Sequence, residues 1–414
     1  MRGNFVDLPT DCPQRDERLG WTGDVQIFAP TASYLYDCAG LLVSWLRDLS
    51  REQLARPDRT PPLVVPNVID LQAAAAGWGD ATVIVPWVVY QRFGDAAILH
   101  EQFPSMVAWL DGVAGKLDER GLWTDDEQFG DWLDPNAPPD EPSAGKTEPG
   151  LVATAYLARS AELLSMIAKT IGLPSAVRRY ADLADRVRLA FAEEYTTPTG
   201  RLSSDSQTAF ALAVEFGLLE TPEQRQRAGR RLAELVRAAD FRIGTGFVGT
   251  PLIADALCTV GESALAYRLL LERDCPSFLY PVTMGATTMW ERWDSMLPDG
   301  TITPSTWTSF NHCAPGAVAD WLHRTVGGLA PGAPGYRHLV VAPQPGGGLT
   351  KAATRHETPY GEAKAEWRRD GRTFFLTVTV PPNCTASVRL PGTIETHDVG
   401  SGTYRFTTAY ADLT

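Results

Sequence analysis

From residue 25 to about residue 325, apolar side chains recur at spacings of three and four, and loops bearing glycine or proline cut the pattern into about ten or eleven segments. VQIFAPTASYLYDCAGLLVSWLRDLSREQLA, ATVIVPWVVYQRFGDAAILHEQFPSMVAWLDGVAGKL and GLVATAYLARSAELLSMIAKTIG are clear instances, and no alternating strand pattern lies between them. A doubly wound α/β fold needs strands between its helices, so it is disfavoured. The segments pair, and the loop after one member of each pair carries acids and aromatics: GWGDA, FGDWLD, YPVTMGATTMWERWD. A ring of helical hairpins places such loops at one end of a barrel, where a rigid scaffold can present them for function. The pattern predicts a mainly α fold, an (α/α)6 toroid of helical hairpins over residues 1–327, with the proline-rich PNAPPDEPSAGKTEPG as a long loop inside it.

After GGLAPGAPGYRH the texture changes. LVVAPQ, EAKAEWRRDGRTFFLTVTVP and TASVRLPG alternate apolar and polar residues, and RDGR carries the Asp-Gly signal of a hairpin. Residues 328–414 are expected to form a small antiparallel β-sandwich.

Composition narrows the partners. A formal charge of −13, without a long Lys/Arg cluster, argues against nucleic acid. The six cysteines, Cys12, Cys38, Cys258, Cys275, Cys313 and Cys384, show no CxxC spacing and read as reduced thiols of a cytoplasmic protein. No apolar run approaches the ~20 residues of a membrane span, and MRGNFVDLPT lacks a signal-peptide core, so no membrane partner is expected.

The densest charge lies in DLPTDCPQRDERLGWTGD, residues 7–24, where Pro9, Pro13, Gly20 and Gly23 impose a shaped, non-helical path. Asp24 could be the N-cap of the helix that follows, and Glu17 could be paired with Arg15 or Arg18 at the surface. Asp11, Asp16 and Asp24 are oxygen ligands, but their spacing does not fit an EF-hand, so no metal is assigned. A third reading is a sugar site. Glycoside hydrolysis needs one protonated carboxyl, one carboxylate and aromatic faces for the ring. Asp11 and Asp24 would help Glu17 keep a proton, while Arg15 would oppose it. Glu291 in TTMWERWD stands between two tryptophans; its plain alternative is a surface pair with Arg292, and His312 alone would pass for a structural histidine.

DCPQRDERLGWTGD resembles the signature of bacterial α-L-rhamnosidases of glycoside hydrolase family 78, and MWERWD with FNHCAPGAV is similar to that family's second catalytic segment. GYRHLVVAPQP, opening the β-rich part, also looks familial, so the likeness covers nearly the whole chain. The resemblance implies hydrolysis of terminal non-reducing α-L-rhamnose from a rhamnose-containing glycoside by inversion, without a cofactor. It implies Glu17 as general acid, Glu291 as general base, and Asp11, Arg15, Trp21, Asp24, Trp78, Trp132 and His312 as substrate-binding residues. An inverting pair should stand ~6.5–9.5 Å apart, leaving room for water.

Only MRGNFVDLPT precedes the motif where the family's toroid usually begins with a helix, so the toroid is expected to lack its first helix. Two alternatives follow: another (α/α)6 glycosidase, or an inactive sugar-binding remnant of a truncated enzyme. The aglycone and the oligomeric state are not readable from the residues.

Overall fold

The computed structural model describes residues 1–15, 18–69 and 71–410. Among the described residues, ten long helices lie before position 272: α1 (Thr22–Leu35), α2 (Ala39–Ala55), α3 (Ala81–Phe93), α4 (Ala97–Ala114), α5 (Pro149–Thr170), α6 (Pro174–Tyr195), α7 (Gln207–Glu215), α8 (Pro222–Ala238), α9 (Thr250–Thr259) and α10 (Ser263–Leu271). A short α11 (Tyr280–Thr283) follows, and α12 (Val318–Trp321) is continued at either end by a 3-10 turn, Ala314–Ala317, and a π turn, Leu322–Val326.

Packing sorts the helices into two layers. α1, α3, α5, α7, α9 and α12 touch one another in that order, and α12 returns to α1, closing a ring of six. Helices α4, α6, α8 and α10 each lie against the ring helix before them, and α2 lies against α3 and α4. The sequence explains the division. α1 buries 11 of its 14 residues, whereas the charged α8 buries 6 of 17 along one stripe. α5 is apolar and long enough to cross a membrane, yet 78% of its most apolar window is buried inside the toroid, as suits a core helix. Local chemistry sets the ends: α5, α6 and α8 start with proline in the first turn, α8 carries a Thr221/Gln224 capping box, and α3 stops at Gly94 in the left-handed region.

The strands follow from Leu329. One sheet has the order β1 (Leu329–Pro331), β2 (His338–Val341), β6 (Thr385–Arg389), β7 (Thr396–Val399), and the other β3 (Lys351–Thr358), β4 (Gly361–Asp370), β5 (Thr373–Val380), β8 (Gly402–Ala409). Asp370 pairs with Thr373 across the RDGR turn, whose Gly371 has φ of 55°. Pairing is antiparallel except between β2 and β6, a parallel contact across distant sequence. Alternate residues of β5, Phe374, Leu376, Val378 and Val380, fill the core between the sheets.

The two parts meet through buried and half-buried polar groups. The Arg92 guanidinium donates to Asp320 at 2.7 Å and to the Tyr336 hydroxyl at 3.0 Å, and Arg324 bridges Asp320 and Asp255 at 2.6 Å each. The Trp367 indole donates to the Val326 carbonyl at 2.7 Å.

Candidate active site

Loops that lead into ring helices converge at one end of the barrel. Residues 7–15 and 18–21 lead to α1, GWGD enters α3, FGDWLD and the proline-rich loop precede α5, residues 244–249 enter α9, and the 287–313 segment enters the last ring element. Together they enclose a cavity of about 180 Å³.

The first segment is pinned at both ends. Asp11 and Leu19 exchange two hydrogen bonds, N–H of Asp11 to the Leu19 carbonyl at 2.9 Å and N–H of Leu19 to Asp11 Oδ1 at 3.1 Å. Two glycines permit close approaches: a Cβ on Gly20 would stand 2.3 Å from the Val65 carbonyl oxygen, and one on Gly23 would stand 2.6 Å from the Trp78 indole. Asp24 is not an N-cap. The helix starts at Thr22 with Trp21 before it, so Asp24 sits in the first turn, where the helix dipole favours an anion, and is buried facing His312.

The 289–291 and 309–312 stretches are tied by Glu291 N–H to the Ser309 carbonyl and His312 N–H to the Met289 carbonyl, both 2.9 Å. This brings Glu291 and His312 to one wall. Glu291 is 5% exposed, and its Oε1 accepts from Arg15 NH2 at 3.0 Å. Arg15 also donates to the Thr306 carbonyl at 2.8 Å and lies 3.9 Å from Asp11. The alternative pairing with Arg292 does not form; Arg292 turns to Asp294 at 2.9 Å. The tryptophans beside Glu291 in sequence pack elsewhere, Trp290 against Phe310 and Trp293 against Phe278.

His312 is held neutral, because burial and then Arg15 push its pKa down to about 3. Its Nδ1 accepts the Ala314 N–H at 3.3 Å, so the proton sits on Nε2, 3.1 Å from Asp24 Oδ1.

Aromatic rings form the other walls. Trp132 meets Trp78, Phe129 and Trp307 edge to face at centroid distances of 6.4, 5.6 and 5.1 Å. Two buried aspartates fix these loops. Asp80 accepts from Gly77 N–H at 2.8 Å, Ser160 at 2.6 Å and the Trp109 indole at 3.2 Å, and burial raises its pKa. Asp131 accepts from the N–H groups of Gly246, Val248 and Gly249 at 2.7, 3.1 and 3.1 Å and from the Thr208 hydroxyl. Burial, then Asp134, pushes Asp131 up to about 7. Because Phe247 N–H also donates to the Trp132 carbonyl at 2.8 Å, Asp131 couples two aromatic walls.

The cavity thus gathers eight residues singled out from sequence: Asp11, Arg15, Trp21, Asp24, Trp78, Trp132, Glu291 and His312. Glu17 lies outside the described residues, as does Asp16. Sequence reasoning missed Leu71, Phe129, Phe247 and Trp307, which also line the cavity among the described residues. Phe129 stood in the quoted FGDWLD; the others carry no local signal beyond being apolar. Ligand atoms of Asp11, Cys12 and His312 lie within 4.8 Å of one another, a donor set of the kind that holds zinc. The positive charge beside it is the Arg15 guanidinium, with NH2 2.7 Å from the Cys12 sulfur.

A closed ring of helices with carboxylates and aromatics in its loop-lined mouth has the architecture of a six-hairpin glycosidase domain. Within that class the chain belongs to the bacterial α-L-rhamnosidases: residues 1–326 match the family model of the bacterial alpha-L-rhamnosidase 6 hairpin glycosidase domain, and residues 328–405 that of the bacterial alpha-L-rhamnosidase C-terminal domain. It is 41% identical to an alpha-L-rhamnosidase of Streptomyces avermitilis, an alignment covering 98% of this chain and 40% of the relative. Among solved structures it is similar to the alpha-L-rhamnosidase of Aspergillus terreus, with TM-score 0.96 and 43% identity over 98% of this chain and 47% of that one. The Streptomyces avermitilis enzyme complexed with L-rhamnose gives TM-score 0.91 at 40% identity, with 98% and 40% covered. The chain therefore spans less than half the length of these relatives.

Proposed function

We propose that this chain removes terminal non-reducing α-L-rhamnose from rhamnosides by inverting hydrolysis, with Glu291 as the general base. One observation carries the reading: Glu291 is buried at the wall of an aromatic-lined cavity, with a guanidinium 3.0 Å from one oxygen. An opposite charge so close favours the ionised carboxylate, the form that can take a proton from water. Glu17, outside the described residues, is assigned as general acid on the motif it shares with the family.

The remaining roles follow from chemistry. Asp11, Arg15 and Asp24 offer acceptors and donors to ring hydroxyls, with neutral His312 beside Asp24. Trp21, Trp78 and Trp132 present apolar faces to the C–H edges of a 6-deoxy sugar and its methyl group. The rhamnose complex of the Streptomyces avermitilis relative supports rhamnose as the sugar. The six unpaired cysteines support a reducing, cytoplasmic setting.

The test is release of nitrophenol from nitrophenyl α-L-rhamnoside beside the β-glucoside and the α-mannoside. The expected result is cleavage of the rhamnoside alone; cleavage of another glycoside, or binding of rhamnoside without turnover, overturns the reading.

A further inference from the structure

Cys12, between Asp11 and Pro13 in the first motif, is 0% exposed and absent from the roles assigned above. Its sulfur lies 2.7 Å from Arg15 NH2 and 4.0 Å from Glu291 Oε2, while the same Arg15 nitrogen stands 3.0 Å from Glu291 Oε1. A guanidinium has only donors, so the sulfur accepts from Arg15. The thiol hydrogen is then left to point at Glu291 Oε2. We infer that Cys12 is a positioning residue for the base: Arg15 and the thiol hold the two oxygens of Glu291 from two sides and fix the plane in which its carboxylate meets water.

The thiol stays protonated in this setting. Burial, then the carboxylates of Glu291 and Asp11, push its pKa up and outweigh Arg15. It therefore adds no charge to the site, as a thiolate beside Glu291 would. A sulfhydryl is a weak donor, so it can steady the carboxylate without competing strongly with water for its proton-accepting lone pairs.

The inference rests on Glu291 being the base, and the experiment separates the two. Cys12→Ala and Cys12→Ser are compared with the wild type in kcat, KM, thermal midpoint and the pH dependence of kcat/KM on nitrophenyl α-L-rhamnoside. In Cys12→Ala kcat should fall about tenfold, less than the ~10²–10⁴-fold that a proton-transfer group itself contributes, with KM within about twofold and the acidic limb of the profile displaced. Cys12→Ser, which restores a donor, should bring the limb back and recover most of kcat. An unmoved limb in Cys12→Ala, or equal impairment of both variants, overturns the inference and leaves the thiol a packing group. Should the alanine variant fail to fold, Cys12→Val fills the space without a donor and takes its place. Retained activity in Glu291→Gln would sink the base assignment itself; loss there with unaltered Cys12 variants would sink only the role of the thiol.

Discussion

Two clusters of buried and half-buried charge stand in the toroid, and they are built differently. At the seam with the β-sandwich, Arg92, Arg324, Asp320 and Asp255 pair with one another at 2.6–2.7 Å, and the Tyr336 hydroxyl accepts a further Arg92 bond. At the loop end, Glu291, Asp11, Asp24 and His312 are buried and Arg15 is half-buried, but their groups line a cavity. The seam uses charge to join two domains. The cavity uses it to hold carboxylates where a ligand can reach them. Burying charge in either place costs desolvation, and the cost is tolerable only because each ion keeps a partner.

Substitution should separate the two. The largest expected effect is on Glu291→Gln, where kcat/KM for nitrophenyl α-L-rhamnoside should drop by about 10²–10⁴ while the thermal midpoint holds. Arg92→Ala should do the reverse. With its side chain 8% exposed, its loss should cost about 3–5 kcal/mol in denaturant titration, because Asp320 loses a buried partner. Its kcat, measured below the unfolding range, should stay within about threefold of wild type. A stable Arg92→Ala would show that the seam is not an electrostatic clamp.

The smallest effect concerns pH. Burial first, and for His323 then His356 and Arg92, holds the seam histidines His323 and His356 down at about 3 and about 4. Unfolded histidines titrate near ~6.5, so on acidification the unfolded chain takes up protons first and stability falls from about pH 6.5 toward pH 4. The midpoint denaturant concentration at pH 5 should lie below that at pH 7. The difference should shrink in the His323→Gln/His356→Gln double variant, and a difference of the same size there would exclude these two as its source.

Most of this architecture was legible in the chain. The three–four spacing marked the ring helices, and Asp370-Gly371 marked the β4–β5 turn. Motif and family resemblance single out eight residues that surround one cavity. What escaped was non-local. Arg292 follows Glu291 in sequence, but in the bend that holds them the two side chains take different partners, and that of Glu291 is Arg15, which sequence proximity could not reveal. Trp21 rather than Asp24 precedes α1, because the chain enters the helix three residues earlier than the first apolar run implied. The parallel β2–β6 contact joins strands more than forty residues apart, which no turn signal encodes. Phe247 reaches the cavity only because Asp131 grips the loop that bears it.

The central claim, a base that delivers water to the face opposite the leaving group, is tested most directly by the anomer first released. Proton NMR of a rhamnoside digest, read before mutarotation, should show β-L-rhamnose appearing first and α-L-rhamnose only later; α-L-rhamnose as the first product would contradict the account.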